Sequence, residues 1–261
     1  MASFKRLGAG LLIWFCASAA LGSDLAKEQR WADQIVDTLI DGEAEWLTAQ
    51  SHEFLAIYTE ASEGDGKRAV IVLHGIGVHP NWPQVVYPLR VELAELGWST
   101  ISLQMPILPN DAEPYEYEPL FDEVAPRIDA GIRFLRDKGA EEIALVGHSL
   151  GATMGSYYLA SNPNSNAIKV FIGVGMGAGS GYLRMNITFS LERIKIPVLD
   201  LYGSDDLDRV VKTAARRAAA AKRARNGAYE QIKVDGADHF FEGEEKELVG
   251  IVNAWLLGVS Q

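Results

Sequence analysis

Cysteine is almost missing from this chain: Cys16 is the only one, and it lies in an apolar leader rather than in the body of the sequence. Without it, residues 23–261 hold no thiol, so disulfides, cysteine-ligated metal and cysteine nucleophiles are all excluded there. Positive charge is also in deficit, with 24 Lys+Arg against 35 Asp+Glu and a formal net charge of −11. Loss of Lys5 and Arg6 with the leader takes this to −13. Such an excess repels phosphate backbones and anionic lipid, which argues against nucleic acid or a membrane surface as partner. The one basic stretch, RVVKTAARRAAAAKRARN from Arg209, is alanine-rich with its charges spread at helical spacing, and reads as the solvated face of a surface helix. No internal repeat and no low-complexity tract occurs, so neither a solenoid nor a disordered tail is expected.

What is present divides in two. Residues 1–22 carry Lys5 and Arg6, then LGAGLLIWFCASAALG, the build of a secretory signal with Ala20 and Gly22 as the small residues before a cut at Ser23. The apolar run falls short of the roughly 20 residues a spanning helix needs. Trp14 and Phe15 are too bulky for the box that precedes a lipidated cysteine at Cys16. Residues 23–261 are then expected as one exported domain, periplasmic or secreted, without stable membrane insertion; oligomeric state is not specified.

The segment from Asp24 to about Ile40 has the apolar spacing of an amphipathic helix, stopped by Asp41-Gly42. EAEWLTAQSHEFLAIYTEA alternates as an antiparallel hairpin. Short apolar strands then alternate with helical segments: AVIVLHG, STISLQM, EIALVGHS, KVFIGVGM, PVLDLYG and EQIKVDG. Near-continuous apolar strands separated by helices describe an α/β domain, its mostly parallel sheet covered on both faces. Ligands of such sheets sit beyond the carboxyl ends of the strands.

Gly147-His148-Ser149-Leu150-Gly151 falls at such an end, between EIALVGHS and the helical LGATMGSYYLA. A nucleophile elbow needs this context: the serine occupies a strained turn, and side chains at the flanking glycines collide with strand and helix. A serine hydroxyl needs a base, and the base a group that orients it. His239 follows EQIKVDG, and Asp205 and Asp206 follow PVLDLYG. The order serine, acid, histidine suits this topology. His148 adjoins the serine but points away as a packing residue, and His52 belongs to the hairpin. An oxyanion hole needs two amides, from Leu150 and from the His74-Gly75-Ile76-Gly77 loop, with Ile76 as donor and His74 as a loop-holder.

LHGIG, GHSLG, PVLDLYGSDD and GADHF together resemble the α/β-hydrolase superfamily over roughly residues 43–257. LHGIGVHPNWPQVVYPLR, LGWSTISLQMPIL and GSYYLA are most similar to a family of exported bacterial proteins that carries no assigned substrate. The resemblance implies Ser149 as nucleophile, His239 as base and, from the spacing after Gly203, Asp206 as acid, with Asp205 the alternative. It implies a serine hydrolase of ester or related acyl bonds, acting on a small acyl substrate without a cofactor. The superfamily also contains proteins without catalysis, so a binding or accessory protein of the cell envelope stands as the second reading.

Several features admit two readings. His79 in GVHPNWP either contacts substrate or braces its loop through Pro80. Tyr115 and Tyr117, in the acidic segment PILPNDAEPYEYEPLFDEVAP, stand as substrate contacts if that segment is a lid, and its acidity favours a neutral or cationic substrate. Asp238 either raises the basicity of His239 or competes with Asp206 for it. His74 and His79 lack an acidic partner for zinc, so no metal is expected. Gly173, Gly175 and Ala178 match a degenerate dinucleotide fingerprint without its helix or acidic residue, and read better as the floor of a site.

Overall fold

A computed structural model describes residues 22–179 and 181–259. The expected signal therefore lies outside the described residues except for Gly22. In chain order the strands are β1 (Glu43–Ala49), β2 (His52–Thr59), β3 (Arg68–Leu73), β4 (Ser99–Leu103), β5 (Glu142–His148), β6 (Ile168–Val174), β7 (Val198–Gly203) and β8 (Tyr229–Val234). The helices are α1 (Leu25–Thr38), α2 (Val86–Glu95), α3 (Phe121–Asp137), α4 (Leu150–Ser161), α5 (Ile187–Leu191), α6 (Asp208–Val211), α7 (Ala214–Arg223) and α8 (Glu245–Val259). All eight strands join one sheet in the order β1-β2-β4-β3-β5-β6-β7-β8. β1 and β2 form the expected antiparallel hairpin, β2 runs antiparallel to β4, and every later pairing is parallel.

Alternation along the strands feeds two cores. Val70, Val72, Val146 and Ile172 face one side with Leu89 and Leu93 of α2 and Val249, Val252 and Leu256 of α8. Ile71, Leu73, Leu145 and Phe171 face the other with Val124, Ile128 and Leu135 of α3 and Met154 of α4. α1 opens with Asp24, whose carboxylate accepts from the Lys27 amide, and its Ala32 and Ile35 close over Leu55 and Ile57 of β2. No helix among the described residues is long and apolar enough to cross a membrane.

The basic stretch departs from expectation. It breaks at Thr213 into α6 and α7, and Arg217 is fully buried, its Nε donating to Asp200 Oδ2 of β7 at 2.6 Å. Tyr229 and Gln231 of β8 donate to the same oxygen at 2.6 and 2.7 Å. A buried carboxylate on the central sheet has drawn one arginine inward, since neither charge is tolerated there alone.

Candidate active site

The turn from β5 into α4 holds Ser149 at φ 53 and ψ −114, a conformation disfavoured for a residue with a side chain. Its amide donates to the Val174 carbonyl at 2.9 Å. The flanking glycines are required by space. A Cβ on Gly147 would stand 2.6 Å from the backbone of Ala152, and one on Gly151 would stand 2.4 Å from the carbonyl oxygens of Leu73 and His74.

Three strand ends converge on this serine. The loop after β8 brings His239 Nε2 to 3.0 Å from Ser149 Oγ, so the hydroxyl donates to the ring. The loop after β7 brings Asp206 Oδ1 to 2.6 Å from His239 Nδ1. Because a carboxylate only accepts, this contact fixes the proton on Nδ1 and leaves the Nε2 lone pair facing the hydroxyl. Asp206 Oδ1 also accepts from the Leu207 amide at 2.6 Å. Asp205 is exposed and accepts from Ser204 Oγ at 3.1 Å, away from the imidazole. Asp238 accepts from the amides of Phe240 and Glu242 at 2.8 and 3.1 Å, so it caps its own turn rather than serving the ring of His239.

Gly175, just after β6, sits against this chain of contacts at φ 64. A Cβ there would lie 2.9 Å from His239 Cε1 and 3.0 Å from Nδ1. The glycine run read as a degenerate nucleotide fingerprint therefore makes room for the histidine, and Gly175, Gly177, Ala178 and Gly179 line the pocket beside Ser149.

Burial holds His148, His74 and His79 neutral. His148 donates from Nε2 to the His239 carbonyl at 2.9 Å. Desolvation, and then the neighbouring His239, push its pKa down to about 4. His74 accepts at Nε2 from the Met105 amide at 2.8 Å, while its Nδ1 donates to the Gly75 carbonyl at 2.8 Å. Burial pushes it down to about 3, so it is a fixed brace under the loop that carries Ile76. His79 does not line the pocket: its ring packs edge-on between Trp31 and Trp82, and its Nδ1 accepts from the Asn81 amide at 3.2 Å. Of the two roles open to it, the geometry supports bracing rather than substrate contact.

Ile76 and Leu150 both line the pocket. Among the described residues neither backbone amide has a hydrogen-bond partner. The Leu150 amide opens α4, where the first turn of a helix leaves its donors free.

The pocket has a volume of about 500 Å³. Tyr115 is half exposed, lines it, and stacks on Tyr182 with ring centroids 6.4 Å apart. Tyr117 does not reach it: the residue is buried, and its hydroxyl accepts from the Leu108 amide at 3.1 Å. The two tyrosines part company because residues 114–120 form a 3-10 helix, in which residues two apart point to different sides. All the acids of that segment except Asp111 have partners within the protein. Glu113 and Glu116 cap the 3-10 helix, Glu118 and Asp122 pair with Arg184, and Glu123 pairs with Arg127. The charged side chain lining the pocket is Arg209.

The fold is shared with solved structures of low sequence identity. Est1E from Butyrivibrio proteoclasticus is 16% identical, with 84% of this chain and 99% of that one covered at a TM-score of 0.63. An alpha-beta serine hydrolase homologue from Coxiella burnetii is 20% identical, covering 83% and 98% at 0.64. The esterase Pf2001 of Pyrococcus furiosus is 14% identical, covering 85% and 94% at 0.65. The architecture is thus the α/β-hydrolase fold. No curated protein matches the chain in sequence. Residues 19–121 and 118–257 match the model of a family described as a protein of unknown function, DUF3530, and the chain belongs to that family.

Proposed function

We propose that this DUF3530 member is a serine hydrolase that cleaves an ester or related acyl bond through an acyl-enzyme. The observation that carries the reading is the unbroken run of hydrogen bonds from Ser149 Oγ to His239 to Asp206, ending in a pocket with two unpartnered amides. His239 Nε2 takes the proton of Ser149 as its oxygen attacks the acyl carbon. The imidazolium that forms is stabilised by Asp206. The amides of Ile76 and Leu150 receive the charge that develops on the carbonyl oxygen, a contribution that elsewhere is worth about 10²–10³ in rate per donor. His239 then gives its proton to the leaving group, and water repeats the sequence to release the acid. His148, held neutral, adds no competing positive charge beside that imidazolium.

Pocket chemistry narrows the acyl group. Gly177, Ala178 and Met185 offer a small, largely apolar wall, Tyr115 offers an aromatic face, and Arg209 is the charged residue of the lining. An acyl group with a terminal carboxylate suits this lining.

The test is labelling by a fluorophosphonate together with turnover of p-nitrophenyl esters. Both are expected in the wild type and lost in Ser149→Ala. An intact, folded protein that neither labels nor turns over any ester of the panel refutes the proposal and leaves the binding-protein reading.

A further inference from the structure

The strongest cluster of charge outside the pocket is built around the first residues of the described chain. Arg127 of α3 is completely buried and holds two carboxylates at once. Its guanidinium donates to both oxygens of Glu28 at 2.9 Å and to Glu123 Oε2 at 3.0 Å. The side chains of Glu28 and Glu123 are only 7% and 14% exposed. Two carboxylates against one guanidinium leave the cluster one positive charge short, in a place where uncompensated charge is costly.

The fourth side of the cluster is Ser23. Its backbone nitrogen lies 2.8 Å from the second oxygen of Glu123. Its hydroxyl contacts Glu28 and accepts from the Ile107 amide at 2.8 Å, and the next amide, that of Asp24, donates to the Ile107 carbonyl at 2.8 Å. The residue is thus seated from three directions, while Gly22 before it is exposed. The remaining neighbours do not make up the charge. His52 Nε2 of β2 lies 3.2 Å from Arg127 Nη2, a position in which a neutral ring accepts. Lys27 turns its ammonium to the Leu108 carbonyl and Asn110, and Asp24 is occupied as the cap of α1.

We propose that the chain is cut between Gly22 and Ser23, and that the α-ammonium so formed is the missing cation of the Glu123–Arg127–Glu28 cluster. A peptidase of the export pathway adds water across that peptide bond, leaving a carboxylate on Gly22 and an amine on Ser23 that takes up a proton from solvent. An amide that donated one hydrogen bond becomes an ammonium with three donors and a full charge, and the cluster becomes neutral. The effect extends to the active-site loop. Arg127 also donates to the Gln104 carbonyl at 2.8 Å. Gln104 Nε2 lies 3.1 Å from His74 Nε2, under the loop that carries Ile76. The new N-terminus therefore anchors the wall on which one arm of the pocket rests.

The experiment uses the full chain expressed in a bacterial host, with the exported protein recovered and its intact mass measured. The expected first residue is Ser23, and any other start overturns the cleavage site. The exported protein is then compared with its Glu123→Gln variant and with a chain that begins at Gly22, using acylation of the α-amine and thermal unfolding. A salt-bridged ammonium resists acylation, so at pH 8 Ser23 is expected to react about ten-fold slower than in Glu123→Gln, the effect of one pKa unit. Its stabilisation is present at neutral pH and is lost as pH rises past the titration of the amine. The chain that begins at Gly22 should melt lower at pH 7. Equal α-amine reactivity in the exported protein and Glu123→Gln, or equal melting of the Ser23 and Gly22 chains, overturns the ion pair. None of these readouts depends on hydrolase activity.

Discussion

Replacing Gly175 with alanine places one methyl group against the ring of His239 while leaving every polar side chain of the site in the sequence. The new Cβ would stand 2.9 Å from His239 Cε1, 3.0 Å from Nδ1 and 3.4 Å from Asp206 Oδ2. Relief to an ordinary contact near 3.4 Å requires the ring to retreat by about 0.5 Å, since the backbone of residue 175 is tied by its amide to the Leu201 carbonyl at 2.9 Å. Misplacement by about 1 Å commonly costs about 10²-fold in rate, so half of that predicts a loss of about ten-fold in kcat/KM. The left-handed φ adds a stability cost of about 1–2 kcal/mol, because alanine pays where glycine does not. Gly177→Ala is the comparison: its new Cβ meets the flexible stem of Arg209 at 3.3 Å and the Arg209 carbonyl oxygen at an ordinary 3.6 Å, away from His239. The assay is kcat/KM on a p-nitrophenyl ester alongside thermal unfolding for both variants. Wild-type kinetics in Gly175→Ala with an unchanged melting temperature would show that the ring is not confined as described.

Asp206→Asn should lower kcat by orders of magnitude, as loss of the orienting acid does in comparable sites, whereas Asp205→Asn should stay within about two-fold in the same steady-state assay. Arg209→Glu should lower kcat/KM at least about ten-fold on a p-nitrophenyl hemiglutarate while leaving p-nitrophenyl butyrate little changed. Equal effects on the two esters would remove the carboxylate preference but not the hydrolase reading. Acid should destabilise the fold before its carboxylates protonate. His148 titrates near pH 6.5 when unfolded and near 4 when folded, so the unfolded chain binds the extra proton and stability falls as pH drops through that window, by roughly 3 kcal/mol at most. Denaturant unfolding of His148→Gln between pH 4 and 7 should therefore show a shallower slope than wild type, and an identical slope would contradict the burial argument.

Most of this fold was legible because its signals are local. Most parallel strands are short apolar runs ended by glycine or by a polar loop, and β8 mixes polar and apolar residues before Asp235-Gly236, so the strand ends, and with them Ser149, Asp206 and His239, could be located without knowing the order of the sheet. The less local features were harder. Tyr115 and Tyr117 are indistinguishable until residues 114–120 are known to form a 3-10 helix. Arg217 looked like its solvated neighbours because nothing near it reveals that Asp200, 17 residues earlier on another element, is buried and needs a partner. α5 spans five residues, too few for a helical period to declare itself. The socket of Ser23 joins residues 100 apart, a distance over which pattern carries no information.

The order of strands across the sheet also sets when chemistry becomes available during the life of the chain. Ser149 and His239 are separated by 90 residues, and His239 follows β8, the last strand among the described residues and one of the two edges of the sheet. The elbow that carries Ser149 is therefore synthesised well before His239. On the proposed serine-hydrolase reading, the serine has no base until β8 pairs with β7, so the docking of that last strand sets when reactivity begins.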